Sequence, residues 1–76
     1  MAKSIYTKEY GRFLELLIRA RREAGLTQVE VASRLGRPQS YVSKYENGER
    51  RLDVIEFLEI ARAVGFDAIR LIRRLT

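Results

Sequence analysis

The chain has 76 residues, 46% of them hydrophobic and 33% charged, with 15 Lys and Arg against 10 Asp and Glu for a net charge of +5. That length suffices for one small domain with a single core, and the composition argues against disorder. Cysteine and histidine are both absent, which removes disulfides, thiolate metal sites and the commonest general base, so an enzyme is disfavoured and no metal or cofactor is expected.

The charge is unevenly placed. Residues 1–24 hold six basic and three acidic side chains, residues 25–52 five and three, and residues 53–76 four and four. The excess therefore lies in the first two thirds and favours a polyanionic partner. Apolar runs are short and interrupted by charge, so neither a membrane span nor a signal peptide is expected, in keeping with a cytoplasmic protein.

Residues 1–6 show no period and read as a flexible arm or a loose extension of the first helix. Thr7 is a candidate cap with Glu9 in the favourable first turn, and Phe13, Leu14, Leu17, Ala20 and Ala24 recur at helical spacing until Gly25 ends the helix. Leu16 and Ile18 widen the apolar stripe beyond what one core needs, toward the last helix or a partner. Thr27 with Glu30 forms a capping box and Leu26 with Val31 a hydrophobic staple, so the second helix starts at Gln28. Gly36 ends it in the left-handed conformation.

A third helix begins at about Pro38, with Val42 and Tyr45 as its apolar face and Gln39, Ser40, Tyr41, Ser43 and Lys44 pointing away. Ala32, Gly36 and Val42 supply the small and apolar residues that two steeply crossing helices need at their contact. Asn47 and Gly48 make a turn, followed by a loop with Arg50 and Arg51. Asp53 with Glu56 is a second capping box and Leu52 with Phe57 a second staple, so helix four starts at Val54, with Val54, Phe57, Leu58, Ala61 and Val64 facing inward. Gly65 closes it. Asp67 caps a fifth helix carrying Ala68, Ile69, Leu71, Ile72 and Leu75 as its apolar residues. No strand-like alternation or repeat is present, and the expected architecture is all-α, five helices in one domain.

The run LTQVEVASRLGRPQSYVSKYENG, with Ala32, Gly36, Val42, Asn47 and Gly48 at their expected places, resembles the helix-turn-helix of phage-repressor-type (Cro and XRE family) DNA-binding proteins. The resemblance continues through NGERRLDVIEFLEIARAVG and covers roughly residues 12 to 66. It implies a lambda-repressor-like fold. It also implies that Gln28 meets a phosphate, and that Arg21 and Glu46 form a buried structural pair locking helix three onto helix one. One departure is Pro38, where that family usually has Ser or Thr at the cap. Proline suits the first helical position, which could shift the reading register from Gln39 toward Ser40.

In a helix-turn-helix the first residues of the second helix enter the major groove. The expected base readers are Gln39 and Ser40, with Ser43 and Lys44 one turn on, and Tyr41 on a thymine methyl or a phosphate. Gln28, Arg37, Asn47, Arg50 and Arg51 are the expected phosphate contacts. The fifth helix is the expected dimer handle through Ile69, Ile72 and Leu75, placing two reading helices on half-sites roughly 34 Å apart. These residues imply sequence-specific binding of a double-stranded DNA operator by a homodimer acting as a transcriptional repressor. The rival reading is an antitoxin-like module whose main ligand is a protein partner.

Overall fold

The computed structural model describes residues 7–76; the arm expected at residues 1–6 lies outside the described residues. Five helices follow one another: α1 (Lys8–Glu23), α2 (Gln28–Leu35), α3 (Gln39–Glu46), α4 (Val54–Val64) and α5 (Ala68–Arg73). No strand occurs among the described residues.

The helix starts follow from local chemistry. Thr7 Oγ1 accepts from the Tyr10 N–H at 3.0 Å and opens α1. Both capping boxes are closed. Thr27 Oγ1 accepts from Glu30 N at 3.1 Å while Glu30 Oε1 accepts from Thr27 N at 2.8 Å. Asp53 Oδ1 and Glu56 Oε1 make the same reciprocal pair at 2.7 and 3.0 Å. Each box satisfies two N–H groups that the first helical turn would otherwise leave without partners. Asp67 Oδ1 accepts from the N–H groups of Ile69 and Arg70 and starts α5.

The corner between α2 and α3 is set by Gly36, which takes φ 69° and ψ 32°. A side chain there would meet no atom within 4 Å, so glycine is favoured by backbone strain alone, about 1–2 kcal/mol for another residue type. The chain then turns through Pro38, whose φ of −69° and ψ of 156° place it just outside the helix as its cap, without a side-chain hydrogen bond. Proline thus sits one position earlier than the first helical turn, and α3 starts at Gln39 with no shift of register.

α2 packs on both α3 and α4, α1 on α3, and α4 on α5. Val31 and Val42 are fully buried and Ala32 is 3% exposed, which fits the small residue needed where α2 and α3 cross. Phe57, Ile60, Ala61 and Val64 form the inward stripe of α4, a clean i, i+3, i+4, i+7 pattern. Two sequence expectations change here. Val54 is 70% exposed rather than inward; it lies in the first turn of α4, at the edge of a shallow groove shared with α5. Ile60, 1% exposed, takes the core position instead. Leu16 is also buried, at 3% exposure; it faces the side on which α5 closes, lining a groove with Phe66 and Leu71, and is not surplus.

The capping carboxylates give the fold a definite acid response. Hydrogen bonds from Thr27 hold the Glu30 carboxyl below its ordinary value. Arg50, then the Asp53 N–H, does the same for Glu56. A carboxylate whose folded pKa is depressed contributes stability that is present above its unfolded value, near 4.5, and is lost as pH falls through the lower folded value. Thermal melts between neutral and acid pH should therefore be flat down to about that value and fall below it. Glu30→Gln with Glu56→Gln should shallow the fall; an unchanged slope in the double variant would show that other carboxylates govern it.

Candidate nucleic-acid interface

α3 is an eight-residue helix held from behind at both ends. At its C-terminal end Glu46 is 8% exposed and accepts three hydrogen bonds. Arg21 Nε donates to Oε2 at 2.7 Å and Nη2 to Oε1 at 3.1 Å, a two-pronged match of planar guanidinium to planar carboxylate. Gln28 Nε2 donates to Oε1 at 2.9 Å. Arg21 spends its Nη1 on the Leu26 carbonyl at 3.0 Å, so one guanidinium ties α1 to the α1–α2 turn and to α3. The Glu46 hydrogen bond raises the Arg21 pKa above its ordinary value, against the opposing effect of burial. Among the described residues no buried side-chain polar atom lacks a partner.

The network reaches the outer face. Gln39 Nε2 donates to Gln28 Oε1 at 3.1 Å, so Arg21, Glu46, Gln28 and Gln39 form one chain from the interior to the first turn of α3. Gln39 is exposed, yet one of its amide hydrogens is fixed. Its other hydrogen and its carbonyl oxygen remain available, the donor and acceptor pair that an adenine edge complements. Ser40 and Lys44 are exposed and Ser43 is half-buried on the same helix.

Tyr41 does not point outward as the sequence suggested. It is 8% exposed and packs in the core cluster, edge-on to Tyr45 with ring centroids 5.6 Å apart. The guanidiniums of Arg37 and Arg50 lie over its ring at 4.5 and 4.8 Å from the centroid. A phenol ring one position from Val42 and four from Tyr45 shares their stripe, and two long cationic side chains cover what the helices leave open. Burial pushes the Tyr41 hydroxyl pKa up, with Glu56 adding to it and the two arginines opposing. Tyr45 is pushed up further by deeper burial, with the Glu46 charge second.

The flanking residues are positioned by the turns. Asn47 accepts the Glu49 N–H at 3.1 Å and donates from Nδ2 to Glu49 Oε2 at 2.6 Å, closing the turn after α3. Arg50 Nη2 is paired with Glu56 Oε2 at 2.7 Å. Arg51 lies over the Tyr10 ring at 4.2 Å, and the Tyr10 hydroxyl accepts the Leu52 N–H at 3.2 Å. Tyr10 thus anchors the α3–α4 loop to α1, a role the sequence reading missed although Tyr10, Phe13, Leu14 and Leu17 keep helical spacing. Glu56 thus serves both the capping box and an ion pair with Arg50, six residues earlier in the chain.

On the far side, α4 and α5 leave an apolar shallow groove lined by Val54, Phe57, Leu58, Ala68, Ile69, Ile72 and Arg73. Ile69 is 67% and Ile72 44% exposed, but Leu75 packs against the core. Leu75 is half-buried against the core and does not line this groove, whereas Val54 does.

Residues 17–71 match the protein family described as "Helix-turn-helix". A curated relative, the "Uncharacterized HTH-type transcriptional regulator y4dJ" of Sinorhizobium fredii (strain NBRC 101917 / NGR234), is 46% identical over 54 residues, 71% of this chain and 70% of that protein. Among solved structures, an "XRE-family like protein from Pseudomonas syringae pv. tomato str. DC3000" superposes with a TM-score of 0.87 at 56% identity, covering 90% of this chain and 83% of that one. With the α2–α3 corner and the capped helices around it, these matches place the chain in the XRE-type helix-turn-helix family of DNA-binding transcriptional regulators.

Proposed function

We propose that the protein is a cytoplasmic transcriptional repressor that binds a double-stranded DNA operator as a homodimer through this domain, with α3 in the major groove. The observation that carries this reading is the Arg21–Glu46–Gln28–Gln39 chain. It fixes the amide of Gln39 from behind while leaving a free donor and acceptor at the start of α3, the end that meets bases in this kind of motif. Pre-ordering a side chain that would otherwise lose rotamer freedom on binding lowers the cost of specific recognition.

Gln39 with adenine, and Lys44 with guanine, would each give roughly 1–3 kcal/mol of discrimination, with Ser40 and Ser43 completing the contact. Gln28, Arg37, Asn47, Arg50 and Arg51 set the register through phosphates. The net charge of +5 favours encounter with DNA and makes affinity steeply dependent on salt. Bound at an operator, the dimer represses by excluding polymerase.

Selection of bound duplexes from a random pool at two salt concentrations tests the division of labour. Gln39→Ala should relax base preference at one position of each half-site with little change in salt dependence. Arg50→Ala should weaken binding to all sequences and lower the salt slope by about 1. Equal loss on all sequences for both variants would refute the reading.

A further inference from the structure

The ring of Tyr41 joins two cations that the chain brings from different turns. Arg37 comes from the corner between α2 and α3, Arg50 from the loop between α3 and α4, and both stand within 4.8 Å of one ring centroid, inside the roughly 6 Å range of cation–π attraction. Like charges would otherwise spread apart in solvent. Glu56 is paired with Arg50 at 2.7 Å, and the charge of Arg37 also helps to hold its carboxyl in the ionised form; Asp53 lies within electrostatic reach of Arg50, and Glu59 of the Tyr41 ring, beside Arg37 in the groove they line together. Among the described residues only Glu56 is ion-paired to either arginine, through Arg50, which leaves the guanidinium of Arg37 without a carboxylate in contact. Donors remain as well. Arg37 makes no side-chain hydrogen bond to a described residue, and Arg50 uses only Nη1 and Nη2, toward the Arg51 carbonyl and Glu56.

We propose that Arg37 and Arg50 form one shared clamp for a single DNA phosphate beside α3, with Tyr41 as the residue that positions both. The clamp rests on the DNA-binding reading above and refines it: the two arginines act on one phosphate, not two. Tyr41 touches no DNA; it sets where the reading helix lies along the backbone by fixing the cations that hold it.

The salt dependence of binding to a short random-sequence duplex, which isolates phosphate contacts from base contacts, tests the clamp. Arg37→Ala, Arg50→Ala and the double variant should each lower the salt slope by about 1, because all three remove the same phosphate. A double variant that lowers it by about 2 would overturn the clamp in favour of two separate contacts. Tyr41→Phe keeps the ring and should keep the wild-type slope. Tyr41→Leu should behave like the arginine variants and should also lose the upfield ring-current shift of the Arg37 and Arg50 side-chain protons in NMR spectra. A Tyr41→Leu protein with a wild-type slope overturns the positioning role. The arginine variants keep every buried side chain and remove only what lies over the ring of Tyr41, so they decide the clamp even should Tyr41→Leu fail to fold. If the unaltered protein does not bind the duplex at low salt, it is the DNA-binding reading that fails, and the clamp's ligand with it.

Discussion

Glu46→Gln is expected to lower the melting temperature by about 10–25 °C. The substitution keeps the shape and leaves Arg21 without its charge partner. The two side chains are only 12% and 6% exposed, and removing one member of a buried pair costs about 3–5 kcal/mol. The rim position of Arg21 favours the lower end, about 3 kcal/mol, and each kcal/mol shifts the melting point of a domain this small by about 4–8 °C. Against the roughly 4–11 kcal/mol expected for a chain of this length, the loss is large. An exposed pair would contribute at most about 1 kcal/mol. A shift under about 4 °C would therefore contradict the burial of this pair.

Removing both charges separates stability from function. Arg21→Met with Glu46→Leu should recover much of the melting temperature, since a buried pair is often replaceable by apolar side chains of similar volume. It should not recover base preference, because Gln28 loses its acceptor and Gln39 is no longer fixed through it. Recovery of both would show that the polar chain behind α3 has no part in reading.

Ile69→Asp with Ile72→Asp is expected to abolish the dimer while leaving the fold intact. Both side chains are exposed in the isolated chain, so charge there costs the monomer little, whereas it would be desolvated in a symmetric interface formed by this face. On a duplex with two half-sites the affinity should fall by about 10²–10⁴-fold, the gain that linkage of two binding units provides. On a single half-site it should hardly change. Sedimentation of wild type and variant gives the oligomeric state directly. Leu75→Asp should instead lower the melting temperature, because Leu75 packs on the core. A wild-type protein that stays monomeric on its operator, with the double variant binding equally well, would turn this face over to a different protein partner, as the antitoxin-like reading expects.

The amino-acid sequence by itself determined the local events. Thr27 with Glu30, Asp53 with Glu56, and the glycines at 36 and 65 mark helix ends through contacts within four residues, and the structure has them where the residues put them. The helix count and the α2–α3 corner followed, and with them the family. Even the pairing of Arg21 with Glu46 was reached only through the family resemblance, because nothing in the spacing of two residues so far apart requires them to meet.

Tertiary structure alone decided which edge of each apolar stripe is covered. In α3 the stripe of Tyr41, Val42 and Tyr45 has two phenols, and a phenol has an apolar ring and a polar tip, so pattern cannot say whether it faces core or groove. The arginines of two turns, converging over Tyr41, settle it. In the same way Ile60 is buried and Val54 exposed, both on α4, while Leu16 is covered on the side of Phe66 and Leu71, and Leu75 packs against the core. Periodicity fixes the angle of a side chain around its own helix axis; what that angle faces depends on the neighbouring helices, and those neighbours are distant in the chain.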